Sequence, residues 1–220
     1  VSPAVANAAM ESGVARRSIT DWEAYERKLR LLMGYDNKMI RRFTDMARQN
    51  PKRVVFAEAN HANMLRAASQ ARQEGVCFPI LLGNDERILK LAKEIGVDLD
   101  GMEIVNHRND KEMERRDRYA AILAKKRERE GFTLPEACEK MFDHNYFGMM
   151  MVEAGDADAF VTGTYTKYTE TIQIAKEVIG IKPGYRHFGA MHIMNTKKGS
   201  YFLADTLINR HPGVDTLVDI

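Results

Sequence analysis

The chain has 220 residues, of which 45% are hydrophobic and 29% are charged, a balance typical of a globular protein with a buried core. Its 33 Lys and Arg residues against 31 Asp and Glu leave a net charge of +2, and no basic stripe with interleaved aromatic residues is present. This charge balance argues against a nucleic-acid partner. Every apolar run is shorter than the roughly 18 residues of a membrane helix, so we expect no membrane segment.

The two cysteines and the two chain ends indicate the setting of the protein. Cys77 lies in an apolar run and Cys138 on a predicted helix face, so both are expected to be buried, reduced thiols of a cytoplasmic protein. The sequence starts with Val1 rather than Met. A helix that begins at Pro212 has only about two turns before Ile220, which is too short for stability by itself. We therefore expect this chain to be an internal piece of a longer protein.

Three helices are predicted before the first strand. Pro3 follows a capping serine at the start of the first helix, and Gly13 and Gly34 provide natural helix ends. The predicted helices are Pro3–Ser12, Thr20–Met33 and Lys38–Gln49. They carry too few apolar positions to close a core, so we expect this segment to be a helical connector packed outside the main sheet.

From Arg53 onward, strands alternate with helices, which predicts a mainly parallel sheet in a three-layer α/β/α fold. The predicted strands are Val54–Ala57, Cys77–Leu82, Met102–Val105 and Ala159–Gly163. The predicted helices are His61–Glu74, one from a capping Asp85 to Gly96, Lys111–Glu130, one from Thr133, Phe147–Glu153 and Thr169–Ile179. Two later strands, Tyr185–Met194 and Ser200–Ile208, are predicted to form a β-hairpin through Asn195–Gly199.

Three loops follow predicted strands at the edge where open parallel sheets bind ligands. They are Ala57–His61, Leu82–Asp85 and Val161–Thr169. In the third loop Gly163 allows close backbone approach, and Thr162, Thr164 and Lys167 stand where phosphate oxygens would be held. An ordinary capped turn from strand to helix explains this composition equally well.

Other signatures of chemistry are weak or absent. The sequence has no Walker A, Gly-x-Gly-x-x-Gly, His-Glu-x-x-His, Cys-x-x-Cys or Gly-x-Ser-x-Gly motif. His187 and His192 lie five apart on a predicted strand and should face opposite sides, which argues against a shared metal. Asp156 and Asp158 fit an acidic turn before a strand as well as they fit metal ligands. We therefore predict no metal site in this chain.

Several segments resemble phosphotransacetylases (phosphate acetyltransferases). The most specific is Gly155-Asp-Ala-Asp-Ala-Phe-Val-Thr-Gly163. The others are Val54–Asn60, Pro79–Asn84, Lys126–Thr133, Tyr146–Val152 and Tyr201–Asn209. Their order and spacing fit the family across residues 52–220. The resemblance implies a phosphotransacetylase-like fold, similar to isocitrate and isopropylmalate dehydrogenases, that is incomplete at its C-terminus.

The first 34 residues resemble a different family, the C-terminal end of bacterial malic enzyme domains. The similarity rests on Pro3–Ala15 together with Trp22 and Tyr25. Large NADP-dependent malic enzymes join the two domains in this order. The resemblance implies the end of a malic enzyme domain at 1–34, a helical connector at 35–51 and a phosphotransacetylase-like domain at 52–220. NADP and a divalent cation, Mg or Mn, are then expected in the parent protein, with no cofactor in this chain.

The sequence also departs from active phosphotransacetylases. It has Ala57-Glu-Ala59 for Pro-Glu-Gly, Thr162 for a serine, Gln173 for an arginine and Glu130 for a lysine, whereas Arg127 matches a basic position. Less positive charge near a site for two anionic substrates weakens transition-state stabilisation. The family's catalytic serine, arginine and aspartate are expected after the end of this chain, and the catalytic residues of the malic enzyme before its start. No catalytic residue is therefore assigned here.

These departures favour an acyl-CoA-sensing regulatory domain of an NADP-dependent malic enzyme. The predicted acyl-CoA and phosphate-binding residues are Arg127, Thr162, Gly163, Thr164 and Lys167. An active phosphate acetyltransferase domain and a purely structural oligomerisation domain are the alternatives. The expected partners are acetyl-CoA or a related acyl-CoA, the malic enzyme domain of the same chain and further copies in a homo-oligomer.

Overall fold

The computed structural model describes residues 2–32, 38–196 and 199–220, and its centre is a four-stranded parallel sheet. The strands are β1 (Lys52–Phe56), β2 (Cys77–Leu82), β3 (Glu103–Val105) and β4 (Ala159–Val161), in the spatial order β3-β2-β1-β4. The chain builds from β1 to β2 and β3 on one side, then returns to place β4 on the other side of β1. The carboxyl ends of β1 and β4 therefore flank the point where the strand order reverses, which is where open α/β sheets leave a crevice.

Ten α-helices are assigned within the described ranges. They are α1 (Ser2–Glu11), α2 (Trp22–Leu32), α3 (Lys38–Gln49), α4 (Ala62–Gln73), α5 (Asp85–Ile95), α6 (Met113–Arg127), α7 (Leu134–Lys140), α8 (His144–Glu153), α9 (Tyr168–Val178) and α10 (Val214–Asp219). Short 3-10 turns at Asp110–Glu112 and Glu128–Glu130 flank α6. The predicted helix at Lys111–Glu130 is thus one α-helix with a tighter turn at each end.

Alternating side chains of the strands feed two separate hydrophobic layers, because successive residues of a strand point to opposite faces. Val55, Ile80 and Leu82 pack with α6, α7, α8 and α9 on one face. Phe56 and Leu81 pack with α4 and α5 on the other. Helices on both faces of a mainly parallel sheet confirm the predicted fold class.

The helix ends show which capping signals in the sequence were correct. Thr133 and Glu136 form the capping box that starts α7, as expected for this spacing. The cap of α5 is Asn84 rather than the predicted Asp85, since the Asn84 side chain accepts the backbone N–H of Arg87 at 2.9 Å. Gly96 ends α5 in the left-handed conformation that suits glycine.

The last third of the chain differs from the prediction. An antiparallel hairpin pairs β5 (Met191–Thr196) with β6 (Gly199–Ala204), and its exposed residues include Met191 and Phe202. The segment 185–190 is not a strand, because its backbone N–H groups at 186 and 187 bind the carboxylate of Asp219 instead. The predicted strand Ser200–Ile208 ends early, at Ala204. The reason is that the carboxylate of Asp205 accepts backbone N–H groups from residues 190 and 207–209.

These differences also change the interpretation of His187. It lies outside the hairpin, and its Nδ1 is 2.9 Å from the carboxylate of Asp219. The expectation that His187 and His192 share one strand was therefore wrong. No group of three His, Cys, Asp or Glu side chains gathers as a metal site within the described ranges.

The buried side chains of the described structure all lie between Val55 and Val178. Helices α1, α2 and α3 contribute none of them, which agrees with the expectation that they pack outside the sheet. None of the helices that the structure describes combines the length and apolarity needed to cross a bilayer. The predicted limit at 34 falls within residues 33–37, which lie outside the described residues, whereas the limit at 51 directly precedes β1.

A tight contact in the core gives a stability prediction. A Cβ added at Gly148 in α8 would lie 2.3 Å from the ring of Phe160 and 3.1 Å from Leu82. Gly148→Ala should therefore destabilise the fold by about 1–3 kcal/mol through overpacking, although alanine alone would favour the helix by about 1 kcal/mol. Urea unfolding measures the change. The double variant with Phe160→Leu should recover part of it relative to Phe160→Leu alone, and a stabilised Gly148→Ala variant would contradict this packing.

Candidate functional site

A buried carboxylate lies at the point where the strand order reverses. Glu58 follows β1 and is only 5% exposed. Its two oxygens accept the backbone N–H groups of Thr164, Tyr165 and Thr166 at 2.8, 3.1 and 3.0 Å, and the Thr166 hydroxyl at 2.8 Å. These four bonds join the loop after β1 to the loop after β4.

The hydrogen bonds also fix the charge state of Glu58. Burial by itself would raise the pKa of this carboxyl group. The Thr166 hydroxyl and the N–H groups of Thr164, Tyr165 and Thr166 outweigh burial, so the pKa lies below the ordinary value of 4.5. Glu58 is therefore an anion at neutral pH, held in a concave set of backbone N–H groups.

This arrangement changes how the predicted phosphate loop can work. The backbone donors at residues 164–166 are already bound to an anion that the protein itself supplies. Upstream, the Thr162 hydroxyl donates to the buried Asn145 side chain at 2.9 Å. An incoming phosphate would have to use other donors, because these are occupied.

Gly163, Lys167 and the exposed side chain of Thr164 are the parts of that loop that remain open. Gly163 adopts a φ of 103°, and a Cβ built on it would meet nothing within 4 Å. Lys167 is the N-cap of α9, and its side chain is 81% exposed, with an ion-pair distance of 3.5 Å to Glu170. Such an exposed pair holds the ammonium group only weakly.

The structure does not bring Arg127 to this loop. Its Nε donates to the carbonyl of Glu177 at 2.6 Å, and its Nη2 donates to the carbonyl of Lys176 at 2.6 Å. Arg127 thus binds the C-terminal end of α9, where a cation stabilises the negative end of the helix dipole. Lys167 is at the opposite end of the 11-residue helix, roughly 16 Å away at 1.5 Å per residue.

The neighbours of Arg127 leave little free positive charge. Its Nη1 pairs with Glu130 at 2.7 Å. Gln173 donates to Glu177 at 2.9 Å, and Lys140 lies 3.6 Å from the same carboxylate. Hydrogen bonds from Tyr146 and Gln173 and the charge of Lys140 outweigh burial and lower the pKa of Glu177. The cations on this side of α9 are thus matched by carboxylates.

A cleft of about 670 Å³ opens on the other side of Glu58, over the carboxyl ends of β1, β2 and β3. Its polar lining comes from four loops and the starts of α5 and α8: Glu58, Asn60, His61, Asn84, Arg87, Asn106, His107, Arg108, Asn109, His144, Tyr165 and Thr166. The buried Arg116 holds the loop after β3 by donating to the carbonyls of His107 and Asn109 at 2.6 and 2.7 Å. In the loop after β4, the Lys167 side chain faces solvent. Tyr165 of the same loop lines the cleft together with Arg87 and Arg108.

Three of the four loops that line this cleft were predicted from the sequence, and the loop after β3 was missed. Asn106, His107, Arg108 and Asn109 follow β3, a strand of only three residues that gives a weak signal. The predicted strand Met102–Val105 already ended at Val105, so the rule that ligands gather at strand ends, applied to this strand as well, would have identified them. No motif indicated that Arg87, in the first turn of α5, belongs with them.

The comparison with known families supplies the identity of this architecture. The model of the phosphate acetyl/butaryl transferase family matches residues 38–220. The chain belongs to this family. Its match begins before β1 and covers the sheet, the cleft and the hairpin, so the candidate site lies within the family's own region.

Individual relatives of this family member are of two kinds. An NADP-dependent malic enzyme of Salmonella typhimurium is 36% identical over 226 residues, which is 100% of this chain and 29% of that protein. A phosphate acetyltransferase of Nitratidesulfovibrio vulgaris is 31% identical over 176 residues, 80% of this chain and 25% of that protein. The chain thus spans less than a third of either relative.

A solved structure supports the fold. The EutD phosphotransacetylase from Staphylococcus aureus matches with a TM-score of 0.72 over 84% of this chain and 56% of that one, at 24% identity. At that identity the similarity concerns the fold alone. Both comparisons agree with the predicted resemblance to phosphotransacetylases, and the first relative agrees with the predicted malic enzyme arrangement.

The bonds of Glu58 give a pH-dependent prediction. Glu58→Gln should cost about 1.5–3 kcal/mol of stability, because charged hydrogen bonds are replaced by neutral ones and one amide donor faces N–H groups. Since the folded-state pKa is lowered, the stabilisation is present above pH 4.5 and is lost as pH falls through the folded-state value. Urea unfolding at pH 7 and below pH 4 measures the difference.

Hydrogen exchange provides the control for that experiment. Amides of residues 164–166 should exchange faster in Glu58→Gln, whereas Glu170→Gln, on the exposed start of α9, should leave them unchanged. A stability difference that stays constant from pH 7 to pH 3 would contradict the role assigned to the Glu58 charge.

Proposed function

We propose that this chain is a regulatory domain of an NADP-dependent malic enzyme, one that binds an acyl-CoA and does not transfer acetyl groups. The similarity to malic enzymes supports the first part, since it covers the whole chain, including the residues before 38 that the family match leaves out. The parent protein would then oxidise and decarboxylate malate to pyruvate and carbon dioxide. NADP and a divalent cation would bind in its malic enzyme domain.

The charge around Gln173 carries the non-catalytic part of the proposal. Gln173 stands where active relatives are expected to have an arginine, and its amide group binds Glu177 rather than offering a charge. Arg127 is committed to the end of α9 and to Glu130. Acetyl transfer to phosphate brings two anionic reactants together and develops more negative charge, which requires cations aimed at the reacting atoms.

The exposed start of α9 supports the acyl-CoA part. Lys167 extends into solvent in the same loop as Gly163. The space around Gly163 is open and would admit a phosphate group of the ligand. The positive end of the α9 dipole adds to the attraction for anions. CoA carries several phosphate charges, so even a weakly held lysine would contribute to its binding.

Regulation further requires that the acyl-CoA bind two states of the whole assembly with different affinities. A ligand shifts an equilibrium between two states only when it binds one of them more tightly than the other. The malic enzyme domain of the same chain would be the element whose equilibrium shifts. A homo-oligomer would provide the interfaces through which such a shift spreads, and it remains part of the proposal.

A titration of acetyl-CoA against malate-dependent NADPH formation in the full-length protein tests the regulatory role. Acetyl-CoA should change the wild-type rate. Lys167→Ala should move the midpoint of the response to about two- to fivefold higher acetyl-CoA, the size expected for one exposed charge pair. The rate without acetyl-CoA should stay near the wild-type value, since Lys167 lies outside the malic enzyme domain.

Lys176→Ala is the matched control, because Lys176 is an exposed lysine on the same helix at its opposite end. It should respond like the wild type. Equal midpoints for both variants and the wild type would place the effector site elsewhere, and a wild-type rate that never responds would refute the regulatory role.

The phosphate acetyltransferase alternative predicts a different result in a direct assay. The full-length protein, given acetyl-CoA and phosphate, should form no acetyl phosphate, because the family cations near α9 are missing or engaged. Release of free CoA, followed with a thiol reagent, measures this. Sustained phosphate-dependent release would favour the transferase, whereas neither transfer nor acetyl-CoA response would leave the structural oligomerisation role.

A further inference from the structure

A second pocket, here called the amino-edge pocket, lies at the opposite edge of the sheet from the candidate site, beside the amino ends of β1 and β3. It has a volume of about 620 Å³. Its lining comes from both strands, α6, α8 and the turn after α8: Arg53, Glu103, Glu114, Arg115, Arg118, Met151 and Asp156. Met151, the apolar residue of this set, is only 1% exposed, so a partner would meet charged groups.

The three arginines of the amino-edge pocket retain unused donors. The Nη1 atom of Arg115 is buried and has no hydrogen-bond partner in the described part of the chain, while its Nε lies 3.2 Å from the carboxylate of Glu112. Arg53 and Arg118 both bind the turn after α8, yet their side chains are 48% and 53% exposed. A buried donor without an acceptor is costly, so an oxygen atom of a partner would be favoured beside Arg115.

Two carboxylates of the same pocket are also open. Glu103 is the first residue of β3 and Glu114 lies in the first turn of α6, and both residues are exposed. Neither carboxylate has a hydrogen-bond or ion-pair partner within the residues that the structure describes. The third carboxylate, that of Asp156, is bound by Arg118 and by the hydroxyl group of Tyr119. The amino-edge pocket thus offers open groups of both signs to a partner.

The helical connector joins the sheet at this same edge. Helix α3 ends at Gln49, and β1 begins at Lys52. The end of α3 is tied to the end of α4, because the Nε of Arg48 donates to the carbonyl of Glu74 at 2.8 Å. Since α4 connects two parallel strands, its C-terminal end lies at the amino edge of the sheet. A domain that precedes the connector is therefore tethered at the edge where the amino-edge pocket opens.

We propose that the malic enzyme domain of the same chain docks on the amino-edge pocket through charged side chains of both signs. This inference rests on the proposed function, since it requires that domain to precede the connector. Contacts between domains of one chain are more polar than permanent subunit interfaces. A short tether raises the effective concentration of the second site to about the millimolar range, so a charged contact of modest strength is sufficient. A free second copy of the chain lacks this advantage.

A domain docked there would contact the turn that leads to the candidate site. The Nη2 of Arg53 donates to the carbonyl of Gly155 at 2.8 Å, and its backbone N–H donates to the carboxylate of Asp158 at 2.8 Å. Strand β4 starts directly after this turn and ends at Val161. Roughly 13 Å of extended chain therefore separates the turn from the loop at 162–167. An acyl-CoA at that loop and a domain at the pocket act on the two ends of one short strand.

Carbodiimide cross-linking of the full-length protein, followed by mass spectrometry, tests the docking surface. The reagent joins a carboxylate directly to a neighbouring lysine, so Glu103 or Glu114 should link to lysines that precede Val1 in the full-length protein. Glu94 is the matched control, because it is an exposed carboxylate on α5, which packs on the other face of the sheet. It should form no such link.

A mixture of unlabelled and isotope-labelled protein separates links within one chain from links between copies. Links within one chain from Glu103 or Glu114 support the proposal. Links only between copies would mean that a second copy occupies the pocket, and this result would overturn the proposal. Absence of any link from these two carboxylates to the preceding domain, or links from Glu94 alone, would overturn it as well.

Charge-neutralising variants test whether the contact carries the regulation. Arg115→Gln and Glu114→Gln should each reduce the acetyl-CoA-induced change in the malate-dependent rate about twofold or more, because each removes one charge of the contact. Glu94→Gln should respond like the wild type. Calorimetry should still detect acetyl-CoA binding to every variant, since these residues lie outside the loop at 162–167, and circular dichroism confirms that each variant is folded.

The two proposals fail in different ways. If the wild type never responds to acetyl-CoA but still forms the links within one chain, the regulatory function is refuted and the docking surface stands. If the wild type responds and both Arg115→Gln and Glu114→Gln respond equally well, while the links are absent, the regulatory function stands and the docking surface is refuted.

Discussion

The carboxylate of Glu58 joins the loop after β1 to the loop after β4, and the candidate ligand sites at this edge of the sheet depend on that connection. It follows the central strand β1, and it holds the loop after β4 through three consecutive N–H groups and a hydroxyl. That loop brings Tyr165 to the lining of the cleft and leads into α9, whose N-cap position is occupied by Lys167. A charged group in this position costs desolvation energy, and the four bonds offset that cost because each of them favours the ionised form.

Cationic side chains lie in two regions, one on each side of Glu58. On the α9 side, Arg127 and Lys140 are matched by Glu130 and Glu177. On the cleft side, Arg87 and Arg108 have no carboxylate partner in the described structure. In this member of the phosphate acetyl/butaryl transferase family, Arg87 and Arg108 thus lie over β2 and β3, whereas Arg127 is bound at the end of α9 and Lys167 is open at its start.

Much of the fold could be predicted from the sequence because its signals are local. The parallel sheet followed from apolar runs separated by helical segments, and the cap at Thr133 followed from its spacing to Glu136. The site could be predicted only in part, since it depends on which end of a helix a long side chain reaches. Nothing in the sequence indicated that Arg127 would bind the far end of α9, or that the N–H groups after Gly163 would bind Glu58. The hairpin began late because Asp205 and Asp219 bind backbone groups that a strand would use.

The β5–β6 hairpin has a consequence for handling the polypeptide. It is a ribbon of two strands with an unpaired backbone edge on each side in the described structure, and Met191, Tyr201 and Phe202 are each more than half exposed. Open strand edges beside apolar side chains are templates for pairing with another molecule. A preparation of these 220 residues alone should therefore show particle growth by light scattering as its concentration rises, and dilute, cold samples would be the appropriate material for structural work.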